Sequence, residues 1–359
     1  MPFVQSPGAR PAGSVGRVRT AFGESFDVPD GYLNSASVGI PPVRVTEAVL
    51  ESVRRWGSGR YSPPEFDAPV ATARAAFADL VGVGADRVAI GSAVSQLLGP
   101  VAAAVPDRAR VVVAQGEFTS VSFPFAVQAG RGVTVSEVPP GRLVEAATEA
   151  DVVAVSVVQS ADGRIADLDG LHRVRETHGT LVVLDVTQAA GWLPLSLAWA
   201  DVVAGGGYKW LLAPRGTAWM ALRPEVEAVP HLAGWYASED PWKGVYGLPP
   251  NLAADARAFD VSPAWTCQVG AAGTLPWLAG LDMAAVHSHC AGLADALRMA
   301  VGTAPTGSAI VSVGAPGAID RLTAAGVTAS ARAGGARLAF GLYNTADDLD
   351  RAVDALTSV

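Results

Sequence analysis

Residues 181–216, LVVLDVTQAAGWLPLSLAWADVVAGGGYKWLLAPRG, decide the fold. They read as a buried apolar strand ending in Asp185, a short link through Gln188, a second strand from Ala200 to Ala204, and a glycine run that delivers Lys209. The chain has 26 basic residues, of which only Lys209 and Lys243 are lysines. Arginine serves as well as lysine for a surface charge, but it does not lose its proton and so cannot form a Schiff base. A lysine-poor chain that keeps a lysine here points to imine chemistry. An acid at the end of one strand and a lysine after the next suggest a pyridoxal phosphate site, with the aldehyde condensing on Lys209 and Asp185 pairing with the pyridine nitrogen. The pair alone also fits a strand-capping lysine and a turn aspartate. The glycines before Tyr208-Lys209-Trp210 favour the first reading, because they suit a close backbone approach to a ligand. Apolar flanks would desolvate the amine and depress its pKa, as imine formation requires.

Working outward, Val88 to Gly91 and Val111 to Ala114 read as buried strands, as does Asp151 to Val158. Alternating strands and helices from Val88 to Trp219 predict an α/β fold with a doubly wound, mostly parallel sheet, its ligand groups at the strands' carboxyl ends. Ser92-Ala93-Val94-Ser95-Gln96 opens a helix whose free N–H groups and dipole suit a phosphate, although a plain helix N-cap explains the serines nearly as well. Helices are expected over Val43–Trp56 and Ala68–Val81, packed on the sheet. From His231 to Asp260 the chain turns rich in Gly, Pro and aromatics. Trp235 and Tyr236 there would line a substrate site or, equally, pack a dimer interface. A helical stretch from Val269 to about Ala300, broken near Gly280, leads into a small C-terminal α/β layer. In it Arg332 and Arg337 stand out, since a bidentate guanidinium is the natural clamp for an α-carboxylate.

Composition narrows the class. Half of the 359 residues are hydrophobic, enough for a large core and for one large domain plus a smaller one. The expected division is an N-terminal arm 1–21, a large cofactor domain 22–265 whose segment 22–42 lines the site, and a small domain 266–359. A net charge of −8 without basic runs argues against nucleic-acid or anionic-membrane partners. Cys267 and Cys290 are too few and too far apart for a disulfide framework, and the five histidines lack metal-ligand spacing, so cytoplasm and no metal are expected. The first twenty residues lack the apolar run of a signal peptide or membrane span.

The pattern Asp185-x-x-Gln188, a strand, a small-residue run into Lys209-Trp210 and then Gly216 resembles the class V aminotransferase family of fold-type I pyridoxal phosphate enzymes. That family includes cysteine desulfurases, selenocysteine lyases, kynureninase-like and isopenicillin-N-epimerase-like proteins. The resemblance runs from Tyr32-Leu33-Asn34 to Tyr343-Asn344-Thr345. It implies a homodimer acting on an α-amino acid. It implies phosphate contacts from Val94, Ser95 and Tyr208, and from Ser262 of the second subunit. Gln188, with Gln159 or Ser156, would meet the cofactor's phenolic oxygen. Asn34 would lie on the substrate wall, and Arg337, with Arg332 beside it, would bind the substrate carboxylate. Phe118 takes the place of a desulfurase histidine that stacks on the ring; it keeps the stacking and cannot carry a proton.

No cysteine follows Cys290, which lies in a helical stretch, so a persulfide-forming desulfurase is not expected. β-Elimination, that is carbon–sulfur lyase activity on a cysteine-like substrate, needs no protein nucleophile and is the preferred reading. Transamination stands close behind it, with epimerisation and kynureninase-like cleavage also open. A non-catalytic protein that keeps the fold is the reading from a different class, and loss of Lys209 or Asp185 would mark it.

Overall fold

The computed structural model describes residues 18–332 and 334–357. The expected arm therefore lies outside the described residues except for its last four, which form β1 (Val18–Ala21) and pair antiparallel with β2 (Glu24–Asp27). Two amphipathic helices follow, α1 (Val43–Gly57) and α2 (Asp67–Val81). Then come β3 (Val88–Gly91), α3 (Val94–Ala104), β4 (Arg110–Ala114), α4 (Thr119–Ala126), β5 (Thr134–Val138), α5 (Leu143–Ala147), β6 (Val152–Ser156), α6 (Leu168–His178), β7 (Leu181–Asp185), β8 (Val202–Gly206) and β9 (Ala218–Leu222).

The seven strands β3 to β9 form one sheet in the order β3-β9-β8-β7-β6-β4-β5. Its pairs are parallel except where β9 runs antiparallel between β3 and β8. Strands β6, β8 and β9 are buried along their whole length and β7 nearly so, which is why the sequence shows continuous valine and alanine runs instead of alternation. With helices covering both faces, no residue of such a strand faces water. The topology brings the carboxyl ends of β3, β4, β6, β7 and β8 to one edge, where ligands bind in sheets of this kind.

The chain closes with α7 (Trp265–Ala279), α8 (Met283–Ala300), β10 (Ile310–Val313), α9 (Ala318–Ala324), β11 (Ser330–Arg332), β12 (Gly335–Ala339) and α10 (Ala346–Thr357). Gly280 caps α7, and the Asp282 carboxylate accepts the N–H groups of Ala284 and Ala285 to start α8, so the long helical stretch breaks with a 95° bend. Helix α7 lies against α1 and α2, and its Ala271, Leu275 and Leu278 belong to the core beneath the large sheet. Strands β10, β12 and β11 form a separate antiparallel sheet. No single helix among the described residues is long and apolar enough to cross a membrane.

Segment 31–40 joins the two sheets. Leu33 exchanges backbone hydrogen bonds with Thr328 and Ala339 of the small layer, and Gly39 N–H donates to the Tyr208 carbonyl at 3.0 Å. A Cβ on Gly39 would sit 1.8 Å from the Lys209 carbonyl oxygen, so glycine alone allows this contact.

Candidate active site

The carboxyl edge of the large sheet opens into a cavity of about 290 Å³. Its wall includes Ser92 to Val94 from the β3–α3 turn, Phe118, Ser156, Ser160, Asp185, Thr187, Gln188, Tyr208, Lys209 and Arg215. Asp185 ends β7 and Lys209 follows β8, the strand beside it, so parallel pairing alone makes them neighbours.

Both groups are buried, Asp185 with 5% of its surface exposed and Lys209 with 5%. They form no ion pair, and Lys209 Nζ has no hydrogen-bond partner among the described residues. Its nearest companions are the rings of Phe118 and Tyr208, with centroids 5.3 and 5.5 Å away. Burial brings the ammonium down to about 8, and the positive charges of Arg337, Arg332 and Arg215 add to that while Asp185 opposes it. Burial also pushes the Asp185 carboxyl up to about 6, against the hydrogen bonding of Thr187 and the charge of Lys209. Asp185 Oδ1 accepts the Thr187 N–H at 2.7 Å, and Thr187 Oγ1 in turn accepts the Gly206 N–H at 2.9 Å.

These features fit pyridoxal phosphate. An orphaned, readily deprotonated lysine faces the cavity. An incompletely bonded carboxylate stands beside it, as a protonated ring nitrogen would require, and the Phe118 ring lies on the open side. The first backbone bond of α3 runs from Leu97 N–H to the Ala93 carbonyl, which leaves the Val94, Ser95 and Gln96 N–H groups open at a helix N-terminus, a natural phosphate seat.

Several expected ligands sit elsewhere. The Ser95 side chain is exposed and outside the cavity wall, where Ser92 stands instead; the helix turn after Val94 points it away, so only its backbone N–H remains a candidate. Gln188 lines the cavity, but its amide is occupied: Nε2 donates to the Ala36 carbonyl and Ser160 Oγ, and Oε1 accepts Trp210 Nε1–H. Gln159 is outside the wall and donates to Glu117 at 2.8 Å. Ser262 is exposed and away from the cavity of its own chain. Tyr236 is packed into the core with its hydroxyl on Asp67 Oδ1, and Trp235 rests against it and Trp242, so neither lines this cavity. Asn34 Oδ1 accepts the Ser330 hydroxyl at 2.6 Å, bracing segment 31–40 against β11.

Arg337 is buried at 1% exposure, and burial, with the nearby charge of Arg332, brings it down to about 10. Its Nη1 donates to the Ser160 carbonyl and hydroxyl and its Nη2 to Ser37 Oγ, while Nε is buried without a partner among the described residues. Ser160 thus links Arg337 to Gln188. Arg332 is exposed at the end of β11 and donates to the Ala331 carbonyl. The sequence reading placed Ser37 on the substrate wall, where the structure has it accepting from Arg337, and assigned no role to Thr187, Glu117, Ser160 or Arg215. Only Glu117 left a signal, as a lone acid in the turn after an apolar strand.

A doubly wound sheet with a buried lysine and aspartate at its carboxyl edge defines a pyridoxal phosphate-dependent enzyme of the fold-type I class. The chain belongs to the class V aminotransferase family, whose model matches residues 65–313. It is 28% identical to the uncharacterized aminotransferase YcbU of Bacillus subtilis strain 168, over 80% of this chain and 82% of that protein. Among solved structures it superposes on the apo cysteine desulfurase of Thermococcus onnurineus NA1 with a TM-score of 0.79 at 18% identity, over 91% of this chain and 94% of that one. It also superposes on a lysine variant of C-DES with glycine covalently linked to the cofactor, with a TM-score of 0.77 at 19% identity, over 90% and 96%.

Proposed function

We propose that this enzyme is a β-lyase that cleaves a carbon–sulfur bond in a cysteine-like α-amino acid. Pyridoxal phosphate supplies the aldehyde that condenses with amino groups and the ring that takes up electrons from the α-carbon. Lys209 would anchor it, Asp185 would face its ring nitrogen, and the α3 N-terminus with Ser92 would hold its phosphate. Lys209 Nζ, with its pKa down at about 8, is the group placed to take and return the α-proton. Arg337 would take the α-carboxylate in exchange for its Ser160 and Ser37 contacts. Phe118 covers the site without offering a proton.

The observation that carries the reading is the absence of a sulfur acceptor beside this pair. Cys290 is fully buried in α8, and Cys267 is half-buried with its thiol on the Arg215 carbonyl; neither lines the cavity. Burial raises both thiols, away from a reactive thiolate. Elimination needs no such acceptor, and a thiol leaving group, whose pKa is about 8.5, departs without a dedicated acid. The test is incubation with cysteine conjugates and assay of pyruvate, thiol and ammonia. Equimolar release of the three is the expected result. Stoichiometric conversion of the cofactor to its pyridoxamine form without pyruvate would replace the lyase by an aminotransferase.

We also propose that the enzyme is a homodimer and that a second copy covers the 231–260 segment, where Trp242, Tyr246 and Leu248 are exposed. Sedimentation velocity checks this, and a monomer of full activity would refute it.

A further inference from the structure

Glu117 is buried at 7% exposure with no cation within ion-pairing reach among the described residues, and the chemistry above does not use it. Its carboxylate accepts four hydrogen bonds. Oε1 takes the Phe118 N–H at 2.8 Å and the Ser156 hydroxyl at 2.5 Å, and Oε2 takes the Ser156 N–H at 2.9 Å and the Gln159 amide at 2.8 Å. These fill the four acceptor positions that a carboxylate offers. The donors come from two places: Phe118 in the loop after β4, and Ser156 at the end of β6 with Gln159 just beyond it. Phe118 is the residue whose ring stands over Lys209, and Ser156 lies directly beside Asp185 in the sheet. Phe118 also opens α4, its carbonyl accepting the Val121 N–H at 2.9 Å, so the clamp fixes the side of Phe118 that faces the turn at Gly116, a left-handed glycine with φ of 76°.

We propose that Glu117 is a positioning residue, a buried carboxylate that ties the β4 loop to the end of β6 and so fixes the Phe118 ring over the cofactor face. Two polar side chains at the end of β6, Ser156 and Gln159, serve this clamp. Glutamine cannot replace Glu117, because it has one acceptor oxygen. Whichever way its amide turns, its NH₂ meets the backbone N–H of either Phe118 or Ser156, and that donor is left unpaired. Aspartate keeps the charge but falls one methylene short of spanning both strands.

The inference rests on the cofactor being held at Lys209, which has its own control: the visible band of the wild-type holoenzyme should bleach with borohydride, and failure there overturns the site itself. With that band present, apoprotein of wild type, E117Q, E117D, F118L and the double variant E117Q/F118L is titrated with pyridoxal phosphate, following affinity by absorbance and ring orientation by visible circular dichroism. E117Q should lose roughly tenfold in affinity and at least about half of the dichroic amplitude per bound cofactor, and F118L should do likewise. The double variant should be no worse than the worse single one, because both changes act on one ring. E117D should resemble E117Q. Wild-type dichroism in E117Q, fully additive losses in the double variant, or an E117D that matches wild type would each overturn the proposal. Should E117Q not fold, Gln159→Leu removes one donor from outside the cavity. Reduced dichroism in that variant supports the clamp, and wild-type dichroism refutes it.

Discussion

Two buried acid–base pairs of the large layer contrast: Arg74–Asp260 is closed, and Lys209–Asp185 is open. Arg74 and Asp260 meet in a two-pronged contact at 2.6 and 3.0 Å, and the Asp260 carboxylate also accepts the Ile90 N–H, tying α2, the loop before α7 and the edge strand together. Lys209 and Asp185 are as deeply buried and remain apart, each with bonding capacity unspent. Leaving a buried charge without a partner is costly. The difference separates a pair that closes on itself from a pair with bonding capacity left over, which the proposed function assigns to the cofactor; burial raises the carboxyls of both Asp185 and Asp260 and lowers Lys209.

The sharpest break of this comparison is Lys209→Ala. Turnover should fall about 10³-fold or more, since the proposed function has one residue both anchor the cofactor and move the proton, and the borohydride-sensitive band should vanish while the apoprotein stays folded. The same kind of neutralisation at the closed pair should give the reverse pattern. Asp260→Asn strands the Arg74 charge, and chemical denaturation should show a loss of about 3–5 kcal/mol, with cofactor affinity of the folded fraction retained. Asp185→Asn keeps an acceptor for the Thr187 N–H but loses the charge that faces the ring nitrogen. Steady-state kinetics should record a fall of about 10²-fold, corresponding to about 2.7 kcal/mol, while the apoprotein melts no lower than wild type. An Asp185→Asn variant as unstable as Asp260→Asn would erase the distinction.

The finest test is pH. The folded Asp185 binds its proton up to about 6 and the unfolded one only to about 3.8, so between those values the native state holds more protons and apoprotein stability should fall as pH rises. Lys209 behaves oppositely, because its folded value of about 8 lies below the ordinary 10.5, so stability should rise again between them. The stability difference between wild type and Asp185→Asn should therefore shrink by about 1–3 kcal/mol on acidification from pH 6 to pH 4. A difference independent of pH would place Asp185 in an ordinary solvated setting.

The closed pair was invisible in the sequence and the open one was plain. Arg74 and Asp260 are 186 positions apart in an arginine-rich chain, and nothing in their local text marks them. Asp185 and Lys209 lie on consecutive strands, and parallel pairing of those strands fixes their proximity. The same logic explains which of the expected ligands line the cavity. Phe118 and Val94 lie in the short turns just beyond the ends of β4 and β3. The positions of Ser95, Gln159, Trp235 and Tyr236 depend on a helical turn or on a long irregular segment, where a shift of one residue changes the direction of a side chain.

The sequence by itself determined the strand–helix alternation, the single buried lysine that can form an imine and the acid one strand before it, because these are set by local pattern and by amino-acid chemistry. Only the tertiary structure decided how the remaining polar groups are spent. Gln188 is bound to Ala36, Ser160 and Trp210, Gln159 to Glu117, and Arg337 to Ser160 and Ser37. A side chain buried at a site must satisfy its hydrogen bonds with whatever the fold brings within about 3 Å, and those partners come from strands and loops far apart in the chain.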